Sequence, residues 1–442
     1  MFQAGINVYI IPLADNHLQE YVPAHWNIVR WLTGFTGSAG ILAITADRAE
    51  LWTDSRYLIQ AENELSGSGF TLAASSSFRG KNSIDWLESL IAGKSMVGFD
   101  GRIVSVNFYR NLHKRLVYKN VSFVDDADLI GGIWKDRPGM PSSAIWKHPP
   151  EFSGMEHSDK IASVRKLMKQ RNISLHILTS PDDIMWLLNL RGNDLKYSPV
   201  ALSFAIIAMD RLYFFVDQSR LPQDIAENLI LAGVTVFPYG DFTEKLKSFH
   251  RESFVLINPA RISVSVFNAL SGSYYIVEDE NIPTLLKAKK NETEIRNILE
   301  TMIKDGLALV RFFIYLESSI ENRQISEMSL AARLEEIRSA DSGFLGSSFA
   351  SIVAFNDHAS LPHYSPTVDT DVRITTPGLL LLDSGGHYPG GTTDITRTIC
   401  LGRPTTGQKR DFTLVLKGHI RLAGSKFPAG TKGHQLDILA RE

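Results

Sequence analysis

The segment Leu379–Gly402, LLLLDSGGHYPGGTTDITRTICLG, decides more about this chain than any other stretch. Leu379 to Leu382 is an apolar run of the length of a buried strand, and Thr392 to Ile399 reads as a strand returning beside it. Between them Gly385, Gly386, Gly390 and Gly391 permit a tight reversal. Asp383 and Asp394, with ten residues between them, therefore come together on one hairpin. Two carboxylates drawn out of water together repel and titrate abnormally unless a cation lies between them, so a hard divalent metal is the economical reading. The plainer reading is that two aspartates merely end and begin strands beside a turn. On the pair alone the two readings are even.

Upstream of the hairpin the pattern is helical. Asn291 with Glu294 three residues on predicts an N-cap, and Ile295, Leu299, Met302, Leu309 and Phe313 form a helical stripe. A second helix is expected from Ser326 through Leu330, Leu334 and Ile337, followed by strands around Ser348–Phe355, Leu379–Asp383 and Thr393–Cys400. After Gly402 the order begins again. Gln408 to Lys426 reads as a helix with Phe412, Val415, Ile420 and Ala423 on a stripe, and LDILARE (436–442) echoes LAARLEE (330–336). The expectation is a unit built twice, with the strands of its second half beyond the 442 residues.

The first 284 residues carry their own repeat. RAELWTDSR (48–56) answers RLYFFVDQSR (211–220), and VGFDGRIVSVNFYRNL (97–112) answers VLINPARISVSVFNAL (255–270). Apolar strand runs alternate with amphipathic helices such as SIDWLESL and DIAENLILAG, which predicts two tandem α/β domains with mixed sheets. The expected partition is 1–130, a linker rich in Gly, Pro and Ser at 131–150, 151–284, and 285–442.

Composition bounds the rest. A chain of 442 residues, 44% hydrophobic and 21% charged, is a globular protein of two to four domains and neither disordered nor fibrous. A formal net charge of −2 gives no electrostatic case for nucleic acid or an acidic membrane as partner. The longest uncharged apolar run, Tyr197–Met209, has 13 residues, short of the roughly 18 that span a bilayer. The start MFQAGINVYIIPLADN lacks the basic and long apolar regions of a secretory leader, and a single cysteine, Cys400, forms no internal disulfide. A cytoplasmic location is expected. Cys400 itself reads as a small strand residue rather than a nucleophile.

The string DSGGHYPGGTTDITRT (383–398) resembles the metal-binding hairpin of aminopeptidase P, the Xaa-Pro aminopeptidases of the pita-bread metallopeptidase superfamily. LPHYSP (361–366) is similar to that family's histidine loop, KAKKNETEIRNILETMIKDGLALVRFFIYLE (287–317) to the helix that opens its catalytic domain, and EYVPAHWNIVRWLTGFTGSAG (20–40) to its first-domain signature. The resemblance implies a fold of two tandem creatinase-like α/β domains followed by the first half of a pita-bread (α+β) catalytic domain. It implies a metalloaminopeptidase that hydrolyses the N-terminal peptide bond preceding proline, acts on peptides with proline at the second position, and forms a homodimer. Two divalent metals, with Mn²⁺ as the expected ion, would be held by two Asp from the first half of the catalytic domain and by one His and two Glu from its second half. By this resemblance Asp383 is a chelating ligand, Asp394 a bridging ligand, and His363 a stabiliser of charge on the substrate.

The 442 residues hold no candidate for the other three ligands, so the chain alone is expected to be inactive. A prolidase- or creatinase-like relative, or a non-catalytic remnant acting as a dimerisation or binding module, are the alternatives. His387, inside the hairpin, is expected to face solvent without binding metal. Arg397 reads equally as an orienter of a carboxylate and as an exposed strand residue. Trp31 and Arg56 read as a core tryptophan and a domain-internal ion pair in preference to residues reaching a partner's site.

Overall fold

The structure is a computed structural model and describes residues 1–73, 82–320 and 324–441. Glu442, where the closing helix was expected to run on, lies outside the described residues.

The two halves of the N-terminal repeat build the same mixed sheet. In the first, six strands lie side by side in the order Thr71–Leu72, Ala49–Trp52, Ile41–Ile44, Val8–Pro12, Met96–Phe99 and Ser122–Val124. In the second the order is Val234–Pro238, Leu212–Val216, Phe204–Ala208, Leu175–Leu178, Phe254–Ile257 and Tyr275–Glu278. The central strands have no polar face. Val8 to Ile11 and Phe204 to Ala208 are buried throughout, because helices cover both sides of each sheet.

The repeated segments meet each other. Val106 N donates to Ile262 O at 3.1 Å and Val264 N to Val104 O at 2.9 Å. Asn107 N donates to Pro259 O and Ser265 N to Gly101 O, both at 2.9 Å. Each donor on one domain has its counterpart 158 positions away on the other, so the contact runs about a local twofold through the bridged pair Ser105 and Ser263. Those two serines also cap equivalent helices, Val106–Leu116 and Val264–Leu270.

The third unit opens on the helix Glu292–Ser319, whose capping box is complete: Glu294 N donates to Asn291 Oδ1 and Asn291 N to Glu294 Oε2, each at 2.9 Å. Its buried face is Thr301, Asp305, Ala308, Leu309, Phe312 and Leu316, whereas Ile295, Leu299 and Met302 of the expected stripe are exposed. The helix is apolar on more than one side. Polar Thr301 and Asp305 lie inward because their partners do, which a hydrophobic pattern does not register.

The helix Glu327–Ser339 follows, then an antiparallel sheet with Gly378–Ser384 between Ile352–Phe355 and Ile395–Leu401. Val353, Phe355, Leu380, Leu382 and Leu401 on one face of this sheet pack with Phe312, Leu316, Leu330 and Leu334 of the two helices. The opposite face carries Ile352, Ala354 and Leu381 with Tyr364, and, further along, Asp383. The closing helices Thr406–Ala423 and Gly433–Arg441 touch where Gly418 lets the Ala440 backbone approach. Neither buries a side chain among the described residues, and Phe412 and Val415 of the expected stripe are 59% and 74% exposed.

Candidate metal site and the histidine loop

Register fixes the two aspartates. Gly378–Ser384 pairs with Ile395–Leu401 through Asp383 opposite Thr396 and Ser384 opposite Ile395, so Asp394, immediately before the returning strand, lies near Asp383. A smaller hairpin tip, His387 opposite Thr392 and Tyr388 opposite Gly391, closes the turn. The glycines serve close packing here, since none of the four has a positive φ. A Cβ on Gly385 would overlap the Thr393 carbonyl and the Ser348 hydroxyl, and one on Gly390 would press on Thr301 Oγ1 at 2.9 Å.

Behind the hairpin lies a buried polar network. Arg338 binds Asp305 through Nε at 2.8 Å and Nη2 at 3.0 Å, with the two side chains 1% and 3% exposed. Asp305 also accepts Tyr388 Oη and Thr393 Oγ1, both at 2.9 Å, and Gly386 N donates to Thr393 Oγ1. Two helices and both strands of the turn are thereby fixed to one carboxylate. Sequence reading did not find this network, because Asp305 sits on an apolar helix face and Arg338 near a helix end.

Asp383 is half-buried, and its Oδ1 is buried with no hydrogen-bond partner. Burial holds its carboxyl above the ordinary carboxylate range; a hydrogen bond from Thr396 opposes this, and the nearby Asp394 charge raises it further. A buried oxygen without a partner costs about 1–3 kcal/mol. An acceptor-only group so placed beside a second carboxylate fits a hard cation. The described residues contain no group of three or more His, Cys, Asp or Glu side chains that could hold a metal ion, so this pair is a partial donor set.

His363 lies on the loop between the first two strands and is held from two directions. From within its own domain, buried Glu327 accepts Phe355 N at 2.6 Å, binds His358 Nδ1 at 2.9 Å, and accepts the hydroxyl of Tyr364 at 2.7 Å. From the first domain, Tyr57 Oη lies 2.7 Å from His363 Nδ1, with the rings edge to face at 5.1 Å. His363 is also near enough to Asp383 to lower its pKa. Asp383, Asp394 and His363 thus share one neighbourhood.

The remaining sequence expectations resolve individually. His387 does not face solvent: its Nε2 donates to Tyr197 O at 3.0 Å and its Nδ1 lies 2.9 Å from Thr392 Oγ1, which leaves no lone pair for a metal. Arg397 is exposed and donates to Thr396 O. Arg56 pairs with Asp54 of its own domain at 2.7 Å, as expected; Trp31 is not a core residue, being 37% exposed while stacking on Trp134 at 4.8 Å. Cys400 is exposed on the outer strand. Among the described residues no helix is long and apolar enough to cross a membrane.

Residues 4–132 match the Creatinase/Prolidase N-terminal domain, as do residues 136–294, and residues 284–442 match Metallopeptidase family M24. The chain is 33% identical to Xaa-Pro aminopeptidase 1 of Dictyostelium discoideum over 454 residues, covering 100% of this chain and 72% of that protein. The chain belongs to the Xaa-Pro aminopeptidase family. Another member, Xaa-Pro aminopeptidase ApepP of Drosophila melanogaster, is 35% identical over 445 residues, covering 99% of this chain and 72% of its own. The crystal structure of the X-prolyl aminopeptidase of Caenorhabditis elegans, described as a cytosolic enzyme with a dinuclear active site, superposes with a TM-score of 0.92 at 31% identity. That superposition covers 99% of this chain and 72% of the worm enzyme. Across the relatives this Xaa-Pro aminopeptidase chain spans 66% to 74% of their length.

Proposed function

We propose that this chain supplies two metal ligands, Asp383 and Asp394, and a charge-stabilising histidine, His363, to an Xaa-Pro aminopeptidase that cleaves the N-terminal bond preceding proline. The carrying observation is the unpartnered, buried Asp383 Oδ1 beside Asp394 at the end of a rigid hairpin. Divalent ions bound there, Mn²⁺ in this reading, would supply a Lewis acid and a water of lowered pKa. What the chain's own residues do follows from their placement. Asp383 and Asp394 hold positive charge at one end of the sheet face. The Arg338–Asp305 network keeps the turn from relaxing when those carboxylates change partners. His363, on its doubly anchored loop, is placed to donate a hydrogen bond to oxygen that gains charge as the scissile carbonyl is attacked.

The same reading takes a peptide with proline second as substrate and a homodimer as the assembly; it takes the cytosol as the compartment, in line with the description of the worm relative as cytosolic. It divides the chain at 130, 150 and 284. The helix Ile282–Ala288 crosses the last boundary and docks on the second domain through Thr284 and Asp183 at 2.8 Å.

The test is Mn²⁺ binding by calorimetry to the 442-residue chain, together with Xaa-Pro peptide hydrolysis by that chain joined to the C-terminal remainder of the Dictyostelium relative. Asp383→Ala and Asp394→Ala are expected to remove Mn²⁺ binding and turnover, while His363→Ala lowers kcat about 10²- to 10³-fold with metal retained. Aspartate variants that bind Mn²⁺ and turn over like the parent would overturn the assignment.

A further inference from the structure

Tyr57 belongs to the first domain, yet its hydroxyl ends on a histidine 306 positions away in the third. The contact is backed on both sides. Ser38 Oγ lies 2.8 Å from Tyr57 Oη, and the Tyr57 ring, 4% exposed, meets Phe35 edge to face at 5.9 Å. The chain closes tightly around that ring, because a Cβ on Gly37 would press on Phe35 and on Tyr57 Cδ1 at 2.8 Å. On the far side, Glu327 fixes the loop through Tyr364, the residue after His363. Neither the phenol nor the imidazole is free to swing away.

Direction follows from donor strength. A phenol O–H is more acidic than an alcohol O–H, and a neutral imidazole nitrogen is the strongest acceptor of the three groups. Tyr57 therefore donates to His363 Nδ1 while Ser38 donates to Tyr57, and each bond polarises the next. A lone pair engaged at Nδ1 leaves the proton of the neutral ring on Nε2. That nitrogen is then a donor. The reverse arrangement, with Nδ1–H donating to Tyr57, would present a bare lone pair where a donor is needed.

We infer that Tyr57, oriented by Ser38, is a positioning residue that fixes His363 as its Nε2–H tautomer, so that the first domain completes the catalytic neighbourhood in the same chain. Its meaning for catalysis rests on the proposed role of His363, but the tautomer is measurable without turnover. Arg56, considered from sequence for reaching a partner's site, is held by Asp54 and lies over the Tyr57 ring at 5.3 Å, so it packs against the phenol without bonding His363.

The experiment is nitrogen-15 NMR of the His363 ring in the 442-residue chain in alkaline buffer, with His363→Gln for assignment. In the parent, Nδ1 is expected to give a bare-nitrogen signal and Nε2 a protonated one, with the Nδ1–H form below about one part in ten, which corresponds to about 1.4 kcal/mol. Tyr57→Phe keeps the ring and loses the hydroxyl, and is expected to raise the Nδ1–H form severalfold. Ser38→Ala is expected to move it the same way by less, with unchanged circular dichroism in both variants. An Nδ1–H parent, or a tautomer ratio identical in parent and Tyr57→Phe, would overturn the inference. Neither result touches Mn²⁺ binding by Asp383 and Asp394, so failure here is distinct from failure of the proposed function. In the joined, active form, Tyr57→Phe is expected to lower kcat about tenfold with KM little changed. An equal loss from Tyr57→Phe in a His363→Ala background would also count against it, since nothing would then remain for Tyr57 to position.

Discussion

Glu327 and Tyr364 meet at 2.7 Å in the interior of the third domain, one residue from His363. Glu327 is fully buried and also serves Phe355 N and His358 Nδ1. Replacing it with alanine leaves Phe355 N and His358 Nδ1 without this acceptor and Tyr364 with only the longer bonds to Thr370, and is expected to cost about 3–5 kcal/mol in urea unfolding. Tyr364→Phe removes the hydroxyl's bond to Glu327 and its longer contacts to Thr370, and is expected to cost about 1 kcal/mol. Equal costs for the two would show that Glu327 is not the hub of the loop.

The Arg338–Asp305 pair makes a sharper test, because both side chains are buried and Asp305 also accepts Tyr388 and Thr393 of the hairpin turn. Arg338→Met strands a carboxylate and is expected to cost about 3–5 kcal/mol. The double variant Arg338→Met, Asp305→Leu should recover part of that loss, since no charge is then left unpaired. Strict additivity in denaturant titrations would rule out the coupling.

Asp383 gives a pH dependence with a definite sign. Its folded pKa lies above the ordinary 3.8, so the folded chain keeps this proton to higher pH than the unfolded chain does. The associated stability is present below the unfolded value and is lost as pH rises through the folded one. At neutral pH without metal, Asp383→Asn is therefore expected to melt above the parent. Added Mn²⁺ should raise the parent and leave the variant unmoved, because only the parent gains binding free energy. Scanning calorimetry at several pH values with and without Mn²⁺ checks both halves.

Lys160 titrates in the opposite sense. It is 1% exposed, donates to Trp186 O at 3.0 Å and Asn189 Oδ1 at 2.7 Å, and burial draws its pKa from 10.5 down to about 8. The unfolded chain binds this proton more tightly, so the Lys160 contribution rises between about pH 8 and 10.5, by up to about 3 kcal/mol. The parent should gain on Lys160→Met over that interval when both are unfolded in urea. Parallel curves would mean that the lysine titrates normally.

What sequence reading reached was local or repeated. Asn291 with Glu294 was legible because a capping box is written within four residues. The hairpin was legible because Leu379–Leu382 and Thr392–Ile399 are strand-like on either side of a turn, and the Asp383 and Asp394 roles came from resemblance. The reversal was right, but the glycines serve packing against Ser348 and Thr301 in place of unusual torsions. The inward face of Glu292–Ser319 was misjudged because Asp305 is paid for by Arg338, 33 positions on. His387 and Tyr57 escaped for the same reason: their partners, Tyr197 and His363, lie 190 and 306 positions away, and no pattern of spacing encodes such a pairing.

The reciprocal bonds between residues 101–107 and 259–265 have the geometry of an isologous dimer interface, in which each partner offers the other the same patch. Here both partners are one polypeptide. Association that would fall off on dilution for two separate chains becomes intramolecular, with an effective concentration on the order of millimolar. The pair is thereby freed from self-identity. One copy can acquire Tyr57 for the third domain while the other acquires the Tyr197 carbonyl that seats His387, two specialisations that a true homodimer would have to carry on the same surface.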